Sequence, residues 1–473
     1  MAGTHAGKVS STARSTRKSR ICIQELTSKS VYCSRLQIFQ QQTEAGQVPA
    51  PTPRVAAEAQ VHVAYLLSRY PAVSHTFLLH EVLGLRRLGI EIDCASINSP
   101  DRAPTDLPPL EAAETRRTLY VKATGVVGAA FALLETLVRR PAVIARGVRT
   151  VFSVKRCTLR QRSYWLFYLV EAILVGRWMR QRSLGHLHVH FGGPVASVGM
   201  LTAAAWKLPY SLTIHGPEEL LDVSAYHLRE KIGEARFVVC ISDFCRSQLL
   251  AISPPESWHK FLTVRLGIDP EALLPRHAPP RAIPELVCIG RLVAEKGHRI
   301  LLDALLLLRQ QGISLRTTFV GDGPERAALE DFIAEHSLAD SVTLLGALPH
   351  SAALERVRDA DIFALSSFAE GVPVALMEAM AFEVPCVSTT VAGIPELIRS
   401  GVDGILVPPA NAAALAEALS RLAADPELRS SIGASARERV KAAYNLGSNH
   451  QTLAEIFKNR IGIAQPVASR TAR

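Results

Sequence analysis

From residue 61 onward, short apolar runs alternate with longer segments whose apolar positions return every three to four residues. The runs at 61–66, 90–97, 186–190, 210–214 and 237–241 read as buried strands, as do 285–291, 317–320, 342–346 and 361–365. Helical periodicity occupies 77–88, 126–138, 164–179, 194–205, 298–310, 411–423, 427–443 and 448–458. Strand and helix alternate in both halves, which predicts an α/β protein of two Rossmann-like, doubly wound domains facing across a cleft. The first is placed at 60–275 and the second at 285–447, joined by a Pro-rich linker at 276–284 and followed by a last helix and tail at 448–473.

Residues 1–59 break the pattern. They are rich in Ser, Thr, Gln and basic residues and read as a disordered extension; an organellar transit peptide is the other reading of an Arg/Ser-rich start. The 473-residue chain is 48% hydrophobic and 20% charged, which is globular. Its net charge of +10 is concentrated. Residues 1–59 hold eight Lys/Arg against three Glu, and residues 139–182 hold eleven against Glu171 alone. The remainder is mildly acidic, which argues against a nucleic-acid binder. Eight cysteines fall without C-x-x-C or zinc spacing. Cys240, Cys288 and Cys386 sit in apolar runs and read as core residues, so a reducing, cytoplasmic location is expected. The stretch 164–179 contains Glu171 and Arg177 and is too short to span a bilayer.

The most informative stretch is 366–380. An apolar strand runs into Gly371 and Pro373, so a helix is predicted to start at Val372 or Pro373, its free N–H groups and positive dipole end forming an anion site. Glu370 lies in the turn and Glu378 about two turns into the helix, both able to accept from sugar hydroxyls. Arg291 and Lys296 follow Gly290 across one loop, where two cations suit a departing diphosphate. Gly321 and Gly323 close the next turn, where they would let backbone approach a nucleotide. His186, His188 and His190 share one strand face, but no carboxylate or cysteine accompanies them, so no metal is expected. Asp359-Ala360-Asp361 spells D-x-D and is read as local capping at a helix end.

Several of these motifs resemble the retaining glycosyltransferases of family 4, which have the two-domain GT-B fold. The matching pieces are E-G-x-P-x-x-x-x-E-A-M from Glu370, G-R-L-x-x-x-K-G from Gly290, G-x-G-P from Gly321 and T-x-H-G from Thr213. Y-P-x-x-S-H-T-F from Tyr70 and H-x-H-F from His188 are similar to the enzymes that build exopolysaccharides of the colanic acid and amylovoran type, with His75 where those have Glu. The resemblance implies a UDP- or GDP-sugar donor, no metal cofactor and a lipid-linked saccharide acceptor. It implies that Arg291 and Lys296 hold the diphosphate, His215 and Glu370 the donor sugar, and Glu378 the ribose. Gly371, Val372 and Pro373 would line the donor site, and Ser74, His75 and His190 the acceptor side. In this fold the last helix crosses back to the first domain.

Two readings compete with transfer: a GT-B sugar-nucleotide epimerase, and a noncatalytic nucleotide-sugar-binding partner in polysaccharide assembly. A separate expectation concerns residues 116–182. Apolar helix faces beside Arg139, Arg140, Arg146, Arg149, Lys155, Arg156, Arg160 and Arg162 suit peripheral docking on an anionic membrane, against the plainer reading of a helical layer with solvated arginines.

Overall fold

A computed structural model describes residues 61–72, 76–155, 157–216, 218–275 and 279–462. The expectation for residues 1–59, and those for Ser74, His75 and Arg156, fall outside this set. The first sheet has seven parallel strands in the order β3-β2-β1-β4-β5-β6-β7. They are β1 (His62–Arg69), β2 (Glu91–Asn98), β3 (Leu119–Tyr120), β4 (Leu187–His190), β5 (Tyr210–Ile214), β6 (Val238–Cys240) and β7 (Phe261–Thr263). The second has six, in the order β10-β9-β8-β11-β12-β13. They are β8 (Glu285–Ile289), β9 (Arg316–Val320), β10 (Val342–Leu344), β11 (Ile362–Leu365), β12 (Cys386–Thr389) and β13 (Ile405–Val407).

Both sheets reverse strand order once, between β1 and β4 and between β8 and β11. A crevice opens at the carboxyl ends of the strands at such a reversal, because the connections on either side leave in opposite directions. Strands buried on both faces need continuous apolar runs, and these have them: Ile362, Phe363, Ala364 and Leu365 are all at most 1% exposed. Cys94, Cys240, Cys245, Cys288 and Cys386 are free and buried, acting as small apolar residues.

The helices used below are α1 (Thr76–Arg87), α2 (Gly125–Arg139), α3 (Pro141–Ser153), α4 (Leu159–Gln181), α5 (Pro194–Trp206), α6 (Asp243–Ala251), α7 (His298–Gln310), α8 (His350–Arg358), α9 (Val374–Ala381) and α10 (Leu446–Ile461). No described helix is long and apolar enough to cross a membrane. The last helix does return to the first sheet. Leu453, Ala454, Phe457 and Ile461 of α10 join Val63, Tyr65 and Leu67 of β1 in one buried cluster, and α10 lies so close to α1 that a Cβ on Gly84 would fall 2.0 Å from His450 Nδ1. The return is tied at its root, where Ile268 N–H donates to Tyr444 O at 3.0 Å and Leu446 N–H to Ile268 O at 2.8 Å.

Asp361 of the D-x-D accepts from Arg281 Nη1 and from the Glu285 amide, each at 2.8 Å. It thereby fastens the chain entering the second domain to the start of β8.

Candidate active site

The reversal between β8 and β11 brings together two loops far apart in sequence. The loop after β8 carries Gly290, Arg291 and Lys296; the loop after β11 carries Ser367, Glu370 and Gly371. They are stitched by Phe368 N–H to Glu295 O at 2.7 Å and Ser366 Oγ to Gly297 O at 2.8 Å. At the seam Lys296 Nζ lies 2.5 Å from Glu370 Oε1, and Ser367 Oγ donates to the same oxygen at 2.7 Å. Glu370 is 7% exposed, so its charge depends on these partners. Arg291 on the same loop is exposed and has no side-chain partner among the described residues. One cation is thus neutralised and the other is available to an incoming anion.

Two glycines owe their place to packing. Gly321 has φ +146°, and a Cβ there would lie 1.8 Å from Gly290 O. At Gly323 it would lie 2.4 Å from Leu292 O. The sequence reading gave these glycines to close approach of a nucleotide. In the structure they let the loop after β9 press on the backbone of the loop that carries Arg291.

The helix after Glu370 begins at Val374, with Pro373 as its cap residue, so Val372 and Pro373 form the connection and not the first turn. Glu378 is consequently little more than one turn into α9, not two. Its Oε1 receives His350 Nε2 of α8 at 2.7 Å. That hydrogen bond, outweighing partial burial, holds the His350 pKa above its ordinary value. Neither Ser367 nor His350 was singled out from sequence. Each acts across a loop or between helices, where spacing carries no signal.

Across the cleft stands His215 at the end of β5. A Cβ on Gly371 would be 2.6 Å from His215 O and 3.2 Å from Ile241 Cδ1, so only glycine permits this approach of the two domains. The His215 ring meets His190 edge to edge, centroids 5.2 Å apart, and packs against Phe77 and Phe191. His190 itself is 0% exposed. It was expected at the acceptor side; it lies behind His215, because its strand is covered on both faces. The turn after it is held by Lys231, whose Nζ donates to Gly192 O at 2.7 Å and Gly193 O at 2.8 Å. Burial brings the Lys231 ammonium down to about 7.

A second cross-domain contact involves Glu396, in the turn after β12. Its carboxylate accepts from the Asp243 and Phe244 amides at 2.9 and 2.6 Å, capping α6 of the first domain from the second. Glu396→Gln is expected to cost about 1 kcal/mol of stability, read by chemical denaturation, because a capping charge at a helix start is lost.

Residues 273–439 match the family described as glycosyl transferases group 1. The second domain is a group 1 glycosyltransferase domain. Over the longer span, this glycosyltransferase is 26% identical across 409 residues to the putative colanic acid biosynthesis glycosyltransferase WcaL of Escherichia coli strain K12, covering 84% of this chain and 99% of that one. It is 28% identical across 422 residues to the amylovoran biosynthesis glycosyltransferase AmsK of Erwinia amylovora, with the same shares covered. Among solved structures, HepE of Anabaena in complex with UDP superposes with a TM-score of 0.63 at 16% identity, covering 84% of this chain and 100% of that one. The fold of the glycosyltransferase is GT-B, as expected.

Proposed function

We propose that this glycosyltransferase is a retaining enzyme of family 4. In this reading it moves a sugar from a UDP- or GDP-sugar to a hydroxyl of a lipid-linked saccharide during exopolysaccharide assembly at the cytoplasmic membrane face. The observation that carries it is the Lys296–Glu370 pair at the sheet reversal, with exposed Arg291 beside it. The names of WcaL and AmsK support the exopolysaccharide setting, and UDP bound by HepE supports a nucleotide sugar donor.

In the reaction the bond from the sugar's anomeric carbon to the diphosphate breaks, and its electron pair passes to the phosphate oxygen. Arg291 and Lys296 offset the charge growing there, in place of a divalent cation, with the amide-rich start of α9 behind them. Donor binding draws Lys296 toward phosphate and leaves Glu370 to accept from sugar hydroxyls, while His215 faces the sugar from the other domain. The acceptor oxygen bonds to the anomeric carbon on the face just vacated, and its proton goes to the departing phosphate. Glu370 as a covalent nucleophile is the second reading, and a glycosyl group trapped on Glu370 during turnover would establish it.

A thermal-shift series with UDP, GDP, ADP and their sugars tests the donor. The cognate nucleotide at one hundred times its dissociation constant is expected to stabilise by about 2.7 kcal/mol. No shift with any of them overturns the reading. Product formed from donor alone, without acceptor, would instead indicate an epimerase; binding without turnover would indicate a noncatalytic partner.

The His350–Glu378 contact adds a pH dependence. Because the folded His350 pKa is raised, the protonated ring pairs with Glu378 below that pKa and releases it above. Ribose hydroxyls need the same carboxylate, so nucleotide affinity is expected to rise as the pH passes upward through that raised His350 pKa. His350→Ala should flatten the profile, as measured by calorimetric titration of UDP; an unchanged slope would remove Glu378 from the ribose site. His80 of α1 also senses the His350 charge, so His80→Ala is the companion control.

The helical layer of the first domain supports the membrane proposal, with one revision. On α2 Val126, Val127, Phe131, Leu134, Leu137 and Val138 are exposed, and Phe152 of α3 and Phe167 of α4 extend the apolar face. Arg146 and Arg162, expected to face lipid, turn inward to donate to the carbonyls of Ala205 and Val151. Arg139, Arg140, Arg177 and Arg180 line a cavity of about 580 Å³ beside that face, where Glu135 pairs with Arg139 and Arg177 and leaves Arg140 and Arg180 for an anionic headgroup. Flotation with anionic vesicles is expected to recover the wild type, and not the Arg139→Glu, Arg140→Glu, Arg180→Glu variant. Equal recovery of the two sinks the idea.

A further inference from the structure

Behind His215 runs a line of buried polar groups that the transfer mechanism above does not use. Tyr65 O–H donates to Glu81 Oε1 at 2.7 Å. The same oxygen lies 3.2 Å from His190 Nε2, short enough for an ion pair and too oblique for a well-formed hydrogen bond. On the far side of the ring, His190 Nδ1 is 2.9 Å from His215 Nε2. Burial opposes ionisation of Glu81, but the contact with His190 and the hydrogen bond from Tyr65 outweigh it and hold the carboxyl below its ordinary value. Glu81 is therefore an anion at neutral pH, in a site where an uncompensated charge would be costly.

The protons then follow. A bare lone pair on His190 Nε2 facing a carboxylate would set two electron-rich atoms 3.2 Å apart, so Nε2 carries the proton. With that single ring proton, His190 keeps its lone pair at Nδ1. That lone pair needs a donor, and the atom opposite is His215 Nε2. His215 is left with its proton on Nε2 and an acceptor at Nδ1.

We infer that Glu81 and His190 are positioning residues that fix the tautomer and ring orientation of His215 for hydrogen bonding to the donor sugar. The inference rests on the proposed role of His215, while the proton arrangement stands apart from it. Other groups face the line. His188 meets His190 edge-on at 5.0 Å, and burial lowers its pKa far below the ordinary value. Arg265 of the first domain and Asn449 and His450 of α10 look toward Glu81 and His215 across a cavity of about 30 Å³.

The test is nitrogen-15 NMR of the histidine rings in the full chain, with kinetics alongside. Wild type is expected to show His215 protonated at Nε2 with its lone pair at Nδ1. Glu81→Gln keeps shape and can still accept from Tyr65, but removes the charge; it should populate the other His215 tautomer and lower turnover tenfold or more, with little change in donor KM. His190→Gln should do the same, whereas His188→Gln should leave the His215 signal in place. A His215 signal protonated at Nδ1 in the wild type, or unchanged in Glu81→Gln, overturns the inference, and neither result depends on sugar transfer. A normal wild-type tautomer with unchanged turnover in Glu81→Gln would overturn the positioning role while leaving the proposed donor reaction intact.

Discussion

Lys296→Ala is expected to lower sugar transfer by about 10²- to 10³-fold, the effect of removing one preorganised charge from a developing anion. The structure makes this variant a double injury. Lys296 is also the cation that neutralises Glu370, whose side chain is 8% exposed. Removing Lys296 leaves that carboxylate with Ser367 as its remaining described partner, which is expected to destabilise the fold by about 3 kcal/mol. The two injuries are separable. Lys296→Met with Glu370→Gln removes both charges together and should recover most of the stability while remaining inactive. Lys296→Arg keeps the charge and should stay folded with partial transfer. Steady-state transfer and urea denaturation of the three variants decide the matter: transfer within twofold of wild type in Lys296→Ala would remove Lys296 from the diphosphate site.

The second large effect is expected from Gly321→Ala, at a position where no ligand contact is needed to explain the damage. With φ at +146° a side chain is strained, and its Cβ would lie 1.8 Å from Gly290 O. The loop after β9 must back away, and the Arg291 loop with it. A loss of about 3 kcal/mol or more is expected, with nucleotide binding falling in parallel. Gly312→Ala provides the contrast: φ is +76°, but nothing lies within 4 Å of a Cβ there, so only backbone strain remains and about 1 kcal/mol is expected. Equal midpoints for the two variants would refute the packing argument.

How much the chain disclosed in advance depended on whether a signal was local. Residues 210–214 and 298–310 coincide with β5 and α7 because each is a single amphipathic or apolar run bounded by turn residues. Helix α3 was missed: its arginines, spaced through a short apolar repeat, read as a basic connection, and Arg146 is explained only by the Ala205 carbonyl it reaches. Arg291, Lys296, Glu370 and Glu378 were legible through loop chemistry and resemblance. Their partners were not. Lys296 meets Glu370 across 74 positions, His215 meets His190 across 25, and Glu396 meets the α6 amides across 152 and 153. Those pairings belong to the order of strands in the sheets and to the meeting of the domains, which no single window of sequence contains.

The hydrogen-bonded meeting of residue 268 with residues 444–446 has a mechanical consequence. Both passages of the chain between domains run through one short parallel contact, and the Arg437 guanidinium grips Pro270 O and Leu273 O beside it. Two connections fused side by side behave as a single axle. They leave rotation about their shared line as the soft motion and make sliding or splaying costly, since either would break the paired amides. Opening to admit a donor therefore amounts to a swing of one rigid half about that line, with Gly371 and His215 travelling as the rims that meet when it shuts.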